Sequence, residues 1–589
     1  MYYRNDEQKK RKLDYHRYEQ MTKKGYSIAE ETSQSPLYVI NDDPFGRTYY
    51  TKPLGEVAVR DPITGQQYTQ EEWSIKEYII DNKAQLINKI SADLVIGKSI
   101  DIKFDDTISI AEEMNKWLKD LIKKSKLSTK LREAALQNSS LGDQFFETCL
   151  YENRIIFKKI EPAIIEIIED DNGDVHCYEI AWEIECEEHK TESQLLGKSK
   201  KTKTVTYVQK KIHYKGKIIH KLYLMKVDEL LPVPLTKIEE NRVFVEKAIS
   251  TKNKNIKALV STSEDEDEDD EYKDAVTKDA DSVYTIIEYT GINSNLITHW
   301  PNYIMFGIYG MSDNGMIENL QNALNNRETQ LNDVLDKHAD PPMYGPSDFL
   351  DANGNLTMSG GGGRYFPVNG ESKPPGYMEW GGHLEDCQKE IFRLYKAILD
   401  NTETSQSLTG EDSGGISSGR ALMYKLIRSL CMAARKREYA DQAIIDLIDT
   451  AQKMKIVWID GNGWDKAEQL TEEEGEKLDA MVIPIIIGYT SAIPVDDDAL
   501  VRNVTTLVKD KVISKETGLD IISKLFDEVI KDEEMKRLGK EGDAEQAKAE
   551  AAKPEALIPD TDAIIKSQMM KGNSKTIGSD LIDDESDEE

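Results

Sequence analysis

Four groups of residues have the types and spacing to do chemistry. Gly415-Ile416-Ser417-Ser418-Gly419 fits the G-x-S-x-G pattern of a hydrolase nucleophile elbow, where a strained strand-to-helix turn exposes the serine. That geometry needs an apolar strand before the serine and a histidine after it in the chain. Here the preceding residues are polar, and His16, His176, His189, His213, His220, His299, His338 and His383 all come before Ser417. Gly414 and Gly419 have the spacing of a phosphate-binding loop. Arg420 and Ala421 follow, where Lys and Ser/Thr are needed to reach the phosphates and magnesium. His176, Cys177, Cys186 and His189 are near one another in sequence but lack the paired C-x2–4-C spacing of a zinc site. On a strand, His176 and Cys177 would face opposite sides. Asp351-Ala352-Asn353-Gly354 has the composition of a β-turn. No catalytic constellation, metal set or cofactor motif emerges, so the chain reads as a non-enzyme without a cofactor.

Composition narrows the function classes further. The 589 residues are 39% hydrophobic and 31% charged, an ordinary globular balance. Lys plus Arg number 76 and Asp plus Glu 108, so the net charge is 76 − 108 = −32. Affinity for phosphate comes from Lys and Arg, so a chain this acidic is not expected to clamp nucleic acid. It can still surround a duplex without gripping it. Cys149, Cys177, Cys186, Cys387 and Cys431 are scattered and odd in number, which points to a reducing compartment. The N-terminal MYYRNDEQKKRKLDYHRYEQ has no apolar core of a signal peptide, and VIPIIIGY at 482–489 is too short to span a bilayer. The expectation is a soluble protein made in a cytoplasm, with no membrane partner.

The elements follow from periodicity. Residues 1–35 are polar, with a basic cluster at 9–12, and read as a solvated arm. Ile75, Ile79, Leu86, Ile90 and Leu94 predict a helix over 73–94. A strand at 99–104 and helices near 110–122 and 128–137 follow. Then come successive strands with turns at Glu152-Asn153 and Asn172-Gly173, and more strands over 205–225. The acidic run EDEDEDDE at 264–271 reads as a solvated insert, since such dense like charge does not fold on itself. Ile317, Leu320, Leu324, Leu331 and Val334 mark one stripe of a helix over 314–338, whose other face is rich in Asn and Gln. A second helix over 383–400 repeats the pattern. Between them residues 340–382 are full of Pro and Gly, so the chain goes out on one helix, builds a small module and returns on another. A Gly/Ser loop from Thr404 leads into a very long helix over 418–454, with Ser417 or Ser418 as its N-cap. A strand near Ile483 and two helices broken at Ile513-Ser514 follow, and the end from 553 reads as disordered.

Three stretches carry a resemblance. LQNSSLGDQFFETCLYENRIIFKKIEPAII from Leu136 places a helix, Gly142, a strand, a turn and a strand before Pro162. Residues 314–400 give helix, Gly/Pro module, helix. SGGISSGRALMYKLIRSLCMAARKREYADQAI from Ser413 gives a polar loop and the small-residue start of a long helix. VISKETGLDII from Val512 adds a fourth, weaker likeness. In this order they resemble the portal proteins of tailed double-stranded-DNA bacteriophages, siphophage-type. The resemblance implies an α+β portal fold with wing, helical stem, small α/β clip, tunnel loop and helical crown. The boundaries it implies are an N-terminal arm at 1–35 and a wing at 36–311, with the acidic insert 264–271. Stem helices at 312–339 and 383–402 flank a clip at 340–382. A tunnel loop at 403–419, a long helix and wing return strand at 420–492, a helical crown at 493–552 and an acidic tail at 553–589 complete the chain.

What the resemblance implies about function is structural. Portals form a ring, typically a dodecamer, at one capsid vertex. The ring is the channel for DNA packaging and ejection, and the site where the large terminase and then the head-completion adaptor dock. Major capsid and scaffolding proteins would surround it, and the location would be the virion. Ser407, Thr409, Glu411, Asp412, Ser413 and Ser417 are expected in the tunnel loop, near the passing duplex. Asn322, Asn325, Asn326 and Gln330 are expected on the channel face of the stem. Tyr344, Arg364, Tyr365, Phe366, Tyr377 and Trp380 are expected at clip contacts, being types enriched at interfaces. An acidic or neutral wall suits a channel through which DNA slides. Arg435, Lys436 and Arg437 are expected to pair with carboxylates of neighbouring subunits. The alternatives are another phage neck or baseplate protein, or a packaging-associated hydrolase or nuclease.

Overall fold

The computed structural model describes residues 6–26, 39–42, 48–60, 67–104, 111–189, 202–226, 229–250, 255–259, 279–339, 343–345, 365–367, 376–377, 384–410, 419–461, 463, 467–490, 497–523 and a few positions within 534–539. The chain divides into two compact units, Met1–Pro494 and Val495–Glu589.

The first element departs from expectation. Helix α1 (Asp6–Lys24) is no solvated arm. It buries Tyr15 and Met21, and even Gln8 and Lys12 are covered. Arg11 lies over the Tyr309 ring, 3.5 Å from its centroid. Four well-placed contacts outweigh a polar composition, because the helix needs only one buried stripe. Gly25, at φ +77, ends it.

Strands β1 (Val39–Asp42), β2 (Thr48–Arg60) and β3 (Gln67–Glu77) make an antiparallel sheet in sequence order. The expected helix over 73–94 is therefore split. Its first five residues end β3, and helix α2 (Lys83–Ile96) starts only after Asn82, whose side chain accepts from the Gln85 N–H at 2.9 Å. Short apolar spacing fits either period there, and the cap decides the start.

Strand β4 (Ile100–Phe104), helix α3 (Ala111–Ser125) and helix α4 (Leu127–Leu141) follow as expected. Strands β5 (Asp143–Tyr151) and β6 (Arg154–Ile160) form a hairpin closed by Glu152 and Asn153, both at positive φ, the turn that matches strand twist. Strands β7 (Ile165–Glu169), β8 (Val175–His189), β9 (Thr202–Tyr214), β10 (Lys217–Lys226) and β11 (Glu229–Pro232) come next. After helix α5 (Glu239–Ile249) come β12 (Ile256–Leu259), β13 (Thr285–Tyr289) and β14 (Ile297–Pro301). Seven of these strands form one antiparallel sheet, ordered β12-β13-β10-β9-β8-β7, with β11 on β10. Helix α5 covers part of it through Val245 and Ala248, packed with Tyr207, Leu222 and Ile286. Strand β14 returns to pair with β5.

Helix α6 (Asp313–Ala339) is about 40 Å long. Strands β15 (Met343–Gly345), β16 (Tyr365–Pro367) and β17 (Gly376–Tyr377) form a small sheet with β15 in the centre. Helix α7 (Leu384–Asn401) returns along α6. The module at 340–382 was expected to be α/β; its described residues are all strand. Helix α8 (Gly419–Met454) runs into a π turn at Lys455–Ile459, and helix α9 (Glu472–Asp479) leads to β18 (Ile485–Tyr489), which pairs with β4. In the second unit α10 (Asp497–Lys509) and α11 (Lys515–Ser523) flank the expected break.

The largest core forms around α8. Ala440, Ala443, Ile444, Leu447, Ile448 and Ala451 fall at spacings of three and four and meet α2, α4, β5 and β6. Small residues let the elements approach closely, while Phe146, Phe157 and Trp300 fill the volume between them.

Candidate functional site

The sequence-predicted site residues fall on the α6–α7 pair, the small sheet between its helices and the segment leading into α8. The base of the α6–α7 pair is a buried polar node. Lys436 and Asp313 form an ion pair with both side chains 4% exposed. Lys436 Nζ also donates to Ser91 Oγ at 2.8 Å, and Asn302 Nδ2 donates to Asp313 Oδ1 at 3.1 Å. Ser139 Oγ donates to the other Asp313 oxygen. Next to Asp313, the Asn314 amide donates to the Tyr18 carbonyl at 2.9 Å and to Thr22 Oγ1 at 2.7 Å. Five helices, α1, α2, α4, α6 and α8, thus meet on charge and amide groups at the first turn of α6. A buried pair of this kind is costly to break from one side.

A second clamp lies beside it. Asp143, 1% exposed, accepts from Tyr15 Oη at 2.7 Å, from His299 Nε2 at 2.8 Å and from the Gly310 N–H at 2.7 Å. Burial beside this carboxylate pushes the Tyr15 hydroxyl well above its usual range. Gly142 takes φ +97, and a Cβ there would lie 2.5 Å from the Gly310 carbonyl oxygen, so glycine is required where the two chain segments cross.

The polar face of α6 has a different use from the one its composition implied. Gln321 is fully buried; its amide donates to the Asp81 carbonyl at 2.6 Å and its oxygen accepts from the Ala84 N–H. Asn325 is also fully buried: it accepts from the Asp81 N–H at 3.2 Å and donates to the Gly25 carbonyl at 2.8 Å. Thr329 Oγ1 accepts from the Ile79 N–H at 3.1 Å. This i, i+4, i+8 row satisfies the irregular backbone of residues 79–84, which has no ladder of its own. Asn325 therefore does not face an open channel in this subunit. Asn326, which accepts from Tyr78 Oη at 2.8 Å, and Asn322 and Gln330 are half-buried on neighbouring positions; Gln330 accepts from Arg327.

The loop ahead of α8 begins anchored. Thr404 and Thr402 are buried, the Ser405 N–H donates to Ser429 Oγ at 2.8 Å, and residues 406–408 form a single 3-10 turn. Thr409 accepts from Tyr395 Oη at 3.0 Å, and Ser407 and Thr409 are half-buried. Glu411, Asp412, Ser413 and Ser417 lie outside the described residues, as do Arg364, Trp380, the acidic run at 264–271 and the tail from 553. Tyr344 is half-buried in the centre of its small sheet, against Gly376. Tyr365 and Phe366 lie on β16 and Tyr377 on β17.

The three cations of α8 pair inside the subunit, which corrects the expectation of contacts between subunits. Arg435 bonds Glu403 at 2.6 Å; Arg437 donates to the Leu94 and Val95 carbonyls at 2.6 and 2.9 Å and covers the Tyr489 ring. Lys436 is in the node. Sequence reasoning missed the node, although one signal was present. Lys436 falls between Ala433 and Ala440, on the stripe that faces the core, where a cation needs a buried partner.

Chemically the arrangement joins and stiffens. Among the described residues no group of three or more His, Cys, Asp or Glu is placed to hold a metal ion, and no helix is long and apolar enough to cross a membrane. What persists is a long helix pair fixed at its base, with a small sheet at its far end and a long helix beside it.

Residues 379–548 match the family of phage portal proteins, SPP1 Gp6-like. The match supports a phage portal protein. It begins just before α7 and runs through α8 and β18 to the helices after 494, so the portal-like stretch includes the return half of the helix pair and the long helix. No curated protein matches the chain. Phage portal proteins are structural proteins, and the chain is similar to them over this stretch.

Proposed function

We propose that the chain is the subunit of a portal ring at one capsid vertex, through which DNA is packaged and later ejected. The observation that carries this reading is the family match across α7 and α8, joined to a helix–sheet–helix excursion fixed at a buried ionic node. In this reading residues 312–339 and 383–402 are the stem, 340–382 the clip, 403–419 the tunnel loop and 493–552 the crown. The wing is 36–311 with the return strand of 420–492, and α1 is its inner brace.

The clip takes the packaging motor first and the head-completion adaptor afterwards, with Tyr344, Arg364, Tyr365, Phe366, Tyr377 and Trp380 on its contact surface. Glu411, Asp412, Ser413 and Ser417 stand nearest the duplex, and Asn322, Asn326 and Gln330 take the wet side of the stem. Capsid and scaffolding proteins hold the wing. A net charge of −32 keeps the duplex moving, because each phosphate contact adds affinity and therefore drag.

Negative-stain electron microscopy of the purified chain, with its mass in solution, tests the reading. Rings with a hole of duplex width, at about twelve to thirteen times 66.9 kDa, are expected. A species that stays monomeric at high concentration and with capsid proteins present would overturn it.

A further inference from the structure

Helix α7 ends on a side chain where a glycine is usual. The Thr404 N–H reaches back to the Leu399 carbonyl at 2.9 Å, and the Glu403 N–H to the Asp400 carbonyl at 3.3 Å. These are the two bonds of a Schellman stop, whose left-handed residue is most often glycine. Gly142 ends α4 in that region, at φ +97. After α7 the residue is Glu403, at φ +53. A residue with a Cβ stays there only when its surroundings over-determine it.

Those surroundings come from α8. Ser429, 1% exposed, donates its hydroxyl to the Glu403 carbonyl and accepts from the Ser405 N–H, both at 2.8 Å. Arg435 bonds the Glu403 carboxylate at 2.6 Å, and Arg428 donates to the Asp400 carbonyl at 3.1 Å. Thr402 and Thr404 are buried on either side of Glu403, with their hydroxyls 3.0 Å apart. Beyond the turn, Leu408 packs against Leu94, Met432 and Ala433, and Thr409 is held by Tyr395. Two turns of α8 therefore grip the end of α7 and the backbone on both sides of Glu403.

Stopping a helix needs none of these bonds, since a glycine at 403 would end α7 by itself. What the bonds add is a fixed direction. We propose that Glu403, Ser429 and Arg435 are positioning residues that set the line on which the chain leaves α7, and with it the point from which the tunnel loop starts. This rests on the ring reading above. In that reading every subunit presents its loop to one axis. A base free to swing would spread the loops over different heights, and a base pinned to a long packed helix holds them level.

Hydrogen exchange of the full chain, together with DNA uptake by capsids assembled around its rings, tests this. Ser429→Ala leaves the Ser405 N–H without its acceptor, and exchange there is expected to rise about tenfold. Glu403→Gly keeps the left-handed stop and frees it from Arg435. Its melting temperature and ring yield should be unchanged, while exchange over 404–409 rises and DNA uptake falls severalfold. Glu403→Gln still accepts from Arg435 and should take up DNA as the unaltered chain does. Unchanged exchange in Ser429→Ala and Glu403→Gly would show that α8 does not hold the turn, and would overturn the proposal. Raised exchange with undiminished uptake would leave a helix stop and no positioning role, overturning the proposal while the portal reading stands. Equal losses of uptake in the Gly and Gln variants would also overturn it. Absence of rings from the unaltered chain would remove both readings.

Discussion

Lys436 is the residue on which the base of the α6–α7 pair depends. Its ammonium is buried against Asp313 and Ser91, and both charges have left water. Removing one partner strands the other, so Lys436→Met is expected to cost about 3–5 kcal/mol in denaturant unfolding. Adding Asp313→Leu to it should recover most of that loss, because an apolar pair of similar volume leaves no orphan charge. Equal losses in the single and double variants would refute the isolated-pair account. Asn325 offers a milder case. Asn325→Leu strands the Asp81 N–H and the Gly25 carbonyl, and a loss of about 1–3 kcal/mol is expected by the same measurement.

Glu328 gives a pH dependence. Burial and the neighbouring Asp81 raise its carboxyl from the usual 4.5 to about 7 in the folded subunit, so the folded state holds the proton more tightly than the unfolded state. Stability from this group is therefore present below about 4.5 and lost as pH rises to about 7. Glu328→Gln should raise the melting temperature of the dissociated subunit at pH 8 and leave it unchanged at pH 4. The effect is small, since the group is only half-buried. A gain of equal size at both pH values would mean that Glu328 does not titrate as described.

Elements are held by a few positions that admit no side chain. Gly142 ends α4 at positive φ and lets β5 leave beneath the Gly310 carbonyl. Gly142→Ala is expected to cost about 1–3 kcal/mol or more, because it adds a clash to an unfavourable φ. Thermal unfolding checks this, and a neutral result would show that the 302–312 crossing moves freely. The long helices were legible in the sequence: α6, α7 and α8 run within a few residues of the apolar rhythm of Ile317 to Val334, Leu384 to Ile398 and the small-residue stripe from Ala440. The strand at 73–77 was not, since Ile75 and Ile79 fit period 3.6 as well as period 2, and only the Asn82 cap separates strand from helix. Helix α1 was illegible for the opposite reason. Tyr15 and Met21 are too few to make a periodic signal, yet they suffice when α6 and β5 stand ready to receive them.

At the scale of the whole molecule, the acid balance bears on the proposed passage of DNA. In the proposed ring, a channel lined by a chain of charge −32 should not retain free duplex. Filter binding at 150 mM salt is expected to show no retention of linear DNA. Tight binding with a steep salt dependence would show a basic track and overturn the account of a repelling wall.

Residue types and their spacing in the chain determined most of the order of elements, the helix–module–helix excursion, the turn at Glu152-Asn153 and the overall charge. These depend on local periodicity, turn chemistry and counting, which a linear sequence carries in full. The tertiary structure alone decided which polar groups are buried together. Gln321 and Asn325 read as a wet face until the bare backbone of residues 79–84 was laid against them. Lys436, Arg437 and Arg435 read as charges for a neighbour until Asp313, the end of α2 and Glu403 met them from positions 32 to 343 residues away in the chain. Hydrogen-bond satisfaction is a property of what surrounds a group in space, and sequence neighbours do not fix that surrounding.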